Sequence, residues 1–303
     1  MVPTRNAQRT LAECLQSLRN QTYPCRVVVV DNFSSDATQA IAERWADAIL
    51  SAGPERSAQR NVGARQFPAD IIGFIDADMI VDSDVVKGVV TALSADAGSV
   101  IVPERTVGTG FWTAVRAFER SYYNGSDAVE AARFFRWEIF EQTGGFDECL
   151  TGPEDWDLSD SARKLAPVAR INSIIKHDEG QLGYIEACKK KSYYAEGLRR
   201  YVAKHGPDSI QRFKHRAWLS EPRTLLCSYG LGLLTLKAGE AAAIGTTLVV
   251  AELRRRFLQR DNRAILRNTP YGASEHCTLG ESSPRATSSL QMEIHNKNSD
   301  PCP

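Results

Sequence analysis

The chain has 303 residues, 43% of them apolar, enough for one large domain or one domain plus an appendage. Lys plus Arg and Asp plus Glu stand at 37 each, so net charge by itself points to no partner. The seven cysteines are scattered and form no C-x-x-C pair, which argues against a disulfide framework or zinc site and for free thiols in a reducing compartment.

Charge is unevenly distributed. Residues 1–180 carry 18 basic and 26 acidic side chains, residues 181–268 carry 17 and 7, and the tail carries 2 and 4. An acidic half suited to cations is thus joined to a basic half suited to phosphates or anionic lipid. The chain opens on Met1-Val2-Pro3, with no signal peptide visible, and this reads as the end of a first strand. A central strand of two or three residues is short, so either the native start lies upstream or the sheet tolerates a stub; the former is expected.

Leu11, Cys14, Leu15 and Leu18 recur at helical spacing, and Val27 to Val30 form an apolar run typical of a strand buried on both faces. Asp36 to Trp45 reads as a helix, Ile71 to Ile75 and Ser99 to Val102 as strands, and Asp82 to Leu93 as a helix capped by Asp82 or Ser83. Phe111 to Tyr123 is expected to be helical, Ala131 to Trp137 to pair at the edge of the main sheet, Asp155 to Leu165 to form a helix and Val168 to Ile175 a strand. Strands alternating with helices imply a mostly parallel sheet covered on both faces. Ligands of such sheets bind beyond the carboxyl ends of the strands, where Asp31 and Asp76-Ala77-Asp78 fall.

Asp76-Ala77-Asp78 is an unfavourable way to end a buried strand, since like charges repel and carboxylates resist leaving water. The placement makes sense if a divalent cation and a phosphate ligand share the site. Period-two geometry puts both aspartates on one side if the backbone stays extended. A second acidic pair, Glu154-Asp155, follows Gly144-Gly145-Phe146-Asp147-Glu148 and offers a carboxylate for general-base work.

The ordered set Val2-Pro3-Thr4-Arg5-Asn6, Val29-Val30-Asp31-Asn32, Arg60-Asn61-Val62-Gly63, Asp76-Ala77-Asp78 and Gly144-Gly145-Phe146-Asp147-Glu148 with Glu154-Asp155-Trp156-Asp157-Leu158 resembles the family 2 glycosyltransferases. The resemblance covers residues 1–180. It implies an α/β fold of the GT-A class: a Rossmann-like, mostly parallel sheet with helices on both faces, here with a helical C-terminal extension. It also implies a nucleotide-sugar donor (UDP-, GDP- or dTDP-linked), Mn²⁺ or Mg²⁺, and inversion at the anomeric carbon. By that resemblance Asp31 and Thr4 meet the nucleobase pocket, Arg60 the nucleotide, and Asp76 the ribose or a metal-bound water. Asp78 and His177 would be metal ligands, Asp155 the general base and Glu154 the support that positions the acceptor. Arg56, Ser57 and Gln59 lie near Arg60 in sequence and would extend its contact. Trp137 and Trp156 suit sugar stacking, with core packing the stronger expectation for both.

The expected domains are a catalytic domain at 1–182, a basic and apolar helical membrane-associating extension at 183–267, and a disordered tail at 268–303. Within 224–253, Lys237 and Glu240 leave uncharged runs of 13 and 11 residues, shorter than a span. An interfacial or re-entrant helix pair is the preferred reading over a buried hairpin. Lys189-Lys190-Lys191, Arg199-Arg200 and Arg254-Arg255-Arg256 would meet anionic headgroups or a pyrophosphate-linked acceptor, with Tyr193, Tyr194, Tyr201 and Trp218 at the interface level. Nucleic acid is not expected, since no recognition motif for it is present. The function expected is transfer of a sugar to a saccharide or lipid-linked acceptor in cell-envelope glycan biosynthesis, at the cytoplasmic face of the membrane. A nucleotidyltransferase is disfavoured because no glycine-rich loop follows the first strand. A non-catalytic nucleotide-sugar scaffold is disfavoured because all four motif acids are intact.

Overall fold

The structure, a computed structural model, describes residues 1–209 and 226–268, with side chains to 256. The expectations for Trp218 and for the tail beyond 268 lie outside the described residues. The first strand, β1 (Val2–Thr4), pairs in parallel with β2 (Val28–Asp31), and β2 with β3 (Ala48–Ser51). On its other side the Met1 amino group donates to Gly73 O (2.7 Å) and Ile75 N–H donates to Met1 O (3.0 Å). These bonds join the three parallel strands to β4 (Ile71–Gly73) and so to the sheet β4-β8-β6-β9, built from β6 (Ser99–Ile101), β8 (Phe134–Arg136) and β9 (Val168–Arg170).

β8 runs antiparallel to both β4 and β6 and lies between them, not at the edge as expected. Phe134 and Phe135 are buried, one on each face, so this strand carries core on both sides and is selected for an interior position. The expected strand Val168–Ile175 is broken: β9 ends at Arg170 and β10 (Ile175–Gln181) joins a second sheet between β5 (Met79–Val81) and β7 (Glu104–Thr109). That second sheet holds the segments after the carboxyl ends of β4 and β6 and brings His177 over the Asp78 turn.

The helices α1 (Leu11–Arg19), α2 (Thr38–Trp45), α3 (Arg56–Gln66), α4 (Val85–Ala95), α5 (Phe111–Ser121), α6 (Trp137–Gln142) and α7 (Glu154–Arg163) cover the strands. α1 and α4 bury Leu11, Cys14, Leu15, Val85, Val89 and Leu93 with Val2 and Val29 in one core layer. A second layer packs Phe74, Phe135, Phe140, Phe146 and Leu158. α4 starts later than expected, with Asp84 at its N-cap position and no side-chain cap bond. Neither Asp82 nor Ser83 is therefore the cap. Trp137 packs against the second core, as preferred.

Two further helices, α8 (Tyr184–Tyr193) and α9 (Ala195–His205), precede a single long one, α10 (Ser228–Asn268). The expected helix pair is thus one continuous helix, and the buried hairpin is excluded with it. The reason is that Lys237 and Glu240 do not break the helix; they pair with the protein. Lys237 Nζ lies 2.6 Å from Glu119 and 2.7 Å from Glu240, and Arg116 lies 2.5 Å from Glu240 and 2.9 Å from Glu119. Leu233 and Leu236 are fully buried against Val115, Tyr123 and Ala187, about 2 kcal/mol each by apolar transfer. Gly232 and Gly239 let the helix approach closely: a Cβ there would sit 2.8 Å from the Phe111 ring and 2.1 Å from Tyr184 Oη.

The chain divides into two compact units, Met1–Thr247 and Leu248–Pro303. The second is described over 248–268 as turns of α10. Cys14, Cys25 and Cys188 are free thiols, but Cys149 is disulfide-bonded. The expectation of free thiols throughout is corrected there, since cysteine pairing follows spatial proximity and no local spacing announces it.

Candidate active site

Asp76 follows the buried pair Phe74-Ile75 at the carboxyl end of β4. The chain does not stay extended: Met79 N–H donates to Asp76 O (3.0 Å) and closes a turn. The two aspartates therefore part. Asp76 accepts from Arg60 Nη2 (2.5 Å) and lies 3.5 Å from Arg133, whereas Asp78 Oδ2 faces His177 Nε2 at 3.2 Å. Burial opposes the charge on Asp76, but Arg60 and Arg133 outweigh it and hold the carboxyl far below the usual carboxylate range.

Arg60 lies on α3 with its side chain fully buried. It is neither a surface residue nor an open donor to ligand. One guanidinium nitrogen binds Asp76; the other binds Asp155 at 2.8 Å and lies 3.5 Å from Glu154. Its Nε is buried with no hydrogen-bond partner. Phe146 presents its ring 5.0 Å from the guanidinium carbon. The next residue, Asn61, clamps the Gly145-Phe146 turn by donating to Phe146 O and accepting from Phe146 N–H, both 2.9 Å. The Arg60-Asn61 and Gly144-to-Glu148 motifs are thus one joint: Asn61 fixes the turn and Arg60 gathers the acids.

Glu154 and Asp155 open α7, where acids at a helix N-terminus are favoured. Asp155 remains 30% exposed, while Glu154 is fully buried. Glu154 accepts from Gly152 N–H (2.6 Å) and from Arg56 Nε. Buried in this way, its carboxylate positions Arg56 and does not reach an acceptor. Asp31 is also enclosed, at 1% exposure. It accepts from the hydroxyls of Thr4 (3.0 Å) and Ser34 (2.5 Å) and from Ser34 N–H (2.9 Å).

The residues line a cleft with two lobes. A lobe of about 480 Å³ is walled by Thr4, Asn32, Gln59, Asp78 and Tyr193. A larger one, about 580 Å³, is walled by Asp155, Trp156, Arg133, Tyr194 and Lys191. Arg56, Asp76, His177 and Lys190 line both. Asp31 lines neither and acts on the smaller lobe through Thr4. Trp156 donates from Nε1 to Val129 O at 2.7 Å and so presents a ring edge fixed to the backbone.

His177 Nδ1 lies 3.0 Å from Arg120 and 3.5 Å from Glu104. Burial works against its charge, yet hydrogen bonds to Asp78 and Glu104 push its pKa up to about 9. An imidazole facing one carboxylate and backed by another is a donor set that fits Mn²⁺: Nε2 and Asp78 supply nitrogen and oxygen, and Glu104 fixes the second ring nitrogen. Among the described residues no group of three or more His, Cys, Asp or Glu is arranged to hold a metal. The Asp78–His177 pair by itself is two donors, fewer than a divalent cation takes.

Sequence reasoning missed Glu104 and Arg133. Glu104 accepts from Arg133 (2.6 Å), and these two with Arg120 tie the Asp76-Ala77-Asp78 turn to His177. The available signal was position: Glu104 follows the apolar strand β6 at its carboxyl end.

Residues 1–146 match the description Glycosyl transferase family 2. The match covers just under half of the chain. The sheet described above, covered by helices on both faces, is the GT-A arrangement expected of it. The family match ends before α7, so Asp155 enters the comparison only through its contact with Arg60. Among curated proteins the chain is 31% identical over 99 residues to the poly(ribitol-phosphate) β-N-acetylglucosaminyltransferase TarS of Staphylococcus aureus, covering 29% of this chain and 17% of TarS. It is 34% identical over 88 residues to the glycosyltransferase AglE of Haloferax volcanii, covering 26% of this chain and 29% of AglE. The matched stretch thus spans less than a third of either relative. Among solved structures, TarS 1–349 in complex with UDP-GlcNAc aligns at 18% identity and a TM-score of 0.49, over 81% of this chain and 88% of that one.

Proposed function

We propose that the chain is an inverting, metal-dependent glycosyltransferase that moves a sugar from a nucleotide-sugar donor to a saccharide or lipid-linked acceptor in cell-envelope glycan biosynthesis. The observation that carries this reading is Arg60, which holds Asp76 and Asp155, 79 positions apart in the chain, on the wall of one cleft. The activities named for TarS and AglE support glycosyl transfer.

In this reading the donor nucleotide occupies the smaller lobe. Thr4 and Asn32 face the base, with Asp31 holding the Thr4 hydroxyl, and Asp76 lies at the ribose and diphosphate. Asp78 and His177 would hold Mn²⁺ or Mg²⁺, which when bound neutralises the charge developing on the leaving diphosphate. The acceptor hydroxyl enters from the larger lobe. Asp155 takes its proton as the oxygen attacks the anomeric carbon from the face opposite the diphosphate. The bond between anomeric carbon and phosphate oxygen breaks, its electron pair leaves with the nucleotide, and the configuration inverts. Arg60 fixes the angle of Asp155 and Glu154 fixes Arg56, which lines both lobes and faces the phosphates.

Residues 183–267 are proposed as an extension that meets the cytoplasmic face of a membrane. The segment Ser228–Arg256 is long and apolar enough to cross a bilayer. Its Lys237 and Glu240 are ion-paired to Arg116 and Glu119, which favours a helix lying on the surface. Tyr229, Leu231 and Leu234 are exposed and would meet the lipid.

A thermal-shift panel of UDP-, GDP- and dTDP-sugars with and without Mn²⁺ tests the donor assignment. At least one should stabilise the protein, more strongly with Mn²⁺. No stabilisation by any of them overturns the reading. Flotation with anionic vesicles tests the membrane assignment, and a protein left wholly in the soluble fraction removes it.

A further inference from the structure

The larger lobe contains one charged side chain that forms no direct ion pair among the described residues. Beside it, Arg116, Glu119, Lys237 and Glu240 form a closed square of four ion pairs between 2.5 and 2.9 Å. Two cations and two anions cancel, so the square needs no ligand. The other charged side chains that line the lobe also have ion-pair partners, Lys190 included, 3.7 Å from Glu179. Among the described residues, Lys191 is the one charged side chain lining the lobe with no ion-pair partner.

Lys191 is half-buried on α8, and burial pushes its ammonium down to about 8; Arg116 and Lys237 add to the effect, and Glu240 and Glu119 oppose it without touching the ammonium. It stays largely protonated at neutral pH. A lysine held charged against that cost, without a partner and facing a cavity, suits an oxyanion supplied from outside. Its neighbour Lys190 has a side chain 48% exposed and sits where the two lobes meet. The smaller lobe, where Thr4 and Asp78 lie, does not include Lys191. Asp155 lines the same lobe as Lys191 and not the other. The anion is therefore on the acceptor side of the chemistry.

We propose that the larger lobe binds an acceptor carrying a phosphoryl group, with the Lys191 ammonium as its main contact and Lys190 as the second. The inference deepens the glycosyltransferase reading and rests on its donor assignment. A lysine is a compact point charge that serves phosphate without demanding one orientation. The phosphoryl group can belong to a soluble phosphomonoester or to a lipid headgroup.

The test uses the full chain and Lys191→Met, which keeps the aliphatic stem. Binding of sn-glycerol 3-phosphate is measured by calorimetry, and binding of phosphatidylcholine vesicles with and without phosphatidic acid by sedimentation. UDP and GDP with Mn²⁺ are titrated in parallel. The wild type should bind one of the two phosphoryl probes without competition from nucleotide. Lys191→Met should weaken that binding by about ten-fold, the loss of one charge-assisted contact, and leave nucleotide affinity unchanged. A response to glycerol 3-phosphate identifies a soluble source, and a response to phosphatidic acid alone a lipid one. The proposal is overturned if neither probe binds, if Lys191→Met binds as the wild type does, or if nucleotide displaces the probe. If Lys191→Met does not fold, Lys191→Gln is read by the same criteria. Failure of every nucleotide to bind the wild type defeats the donor reading, and that result is distinguishable from all of these.

Discussion

Two buried ionic clusters flank the cleft, and they are built to opposite rules. Around Arg116 four charges close on one another, each anion touching both cations. Around Arg60 one guanidinium serves Asp76, Asp155 and Glu154, and two of those acids remain a quarter to a third exposed. The first cluster is complete without a ligand and joins α10 to α5. The second leaves Asp76 and Asp155 partly exposed at the cleft and an Arg60 Nε with no hydrogen-bond partner. Charge left open towards a cavity marks chemistry; charge closed on itself marks a joint.

The strongest way to break this contrast is to remove the proposed base. Asp155→Asn is expected to lower sugar transfer by about 10²- to 10⁴-fold while nucleotide affinity and thermal stability stay near wild type. Full transfer by that variant removes the base assignment.

Next come the two arginines, compared side by side in urea unfolding. Arg60→Met and Arg116→Met should each lose about 3–5 kcal/mol, since each strands buried carboxylates. Only Arg60→Met should also abolish transfer when assayed below its unfolding transition. For the closed square, adding Glu240→Leu to Arg116→Met should return part of the loss, because the stranded charge is removed. If Arg116→Met costs transfer as heavily as Arg60→Met, the distinction between site and joint is lost.

The pH dependence of the square sharpens the comparison. Burial opposes ionisation of Glu240, but Arg116 and Lys237 outweigh it and hold its pKa at about 2 against an ordinary 4.5. The folded pKa lies below the unfolded one, so the stabilisation is full above pH 4.5 and fades as pH falls towards 2. The shift corresponds to about 3 kcal/mol. The stability difference between wild type and Glu240→Gln should shrink over that window and be constant from pH 5 to 7. A difference that grows on acidification contradicts the ion-pair account.

The smallest effect is expected at the motif joint. Gly145 has φ +82°, and a Cβ there would lie 2.7 Å from Asn61 Oδ1. Gly145→Ala should cost about 1–3 kcal/mol, measured by thermal unfolding, with a partial loss of transfer as Arg60 shifts.

Local pattern made most of the sheet readable. Val28–Val30, Ile71–Ile75 and Ser99–Val102 are apolar runs of strand length, and the acids after them mark the carboxyl ends where a ligand is expected. The interior place of β8 was not readable, because a short run with Phe134 and Phe135 looks the same at an edge as in the middle. The length of α10 was misread for a related reason. Lys237 and Glu240 look like interruptions until Arg116 and Glu119, more than a hundred residues earlier, are placed beside them.

The sequence by itself determined the alternation of strands and helices in the first 105 residues, the match of residues 1–146 to glycosyl transferase family 2, and which carboxylates stand at strand and helix ends. Those follow from periodicity and from residue types within a few positions of one another. Only the tertiary structure decided that Asp76 and Asp78 turn to different partners, that Arg60 binds Asp76 and Asp155 together, that Asp31 is enclosed, and that Lys191 lines the larger lobe without an ion pair among the described residues. Charge pairing acts over a few ångströms in space and carries no signature in sequence separation, so contacts such as Arg60 to Asp155 and His177 to Asp78 become visible only once the chain has brought them together.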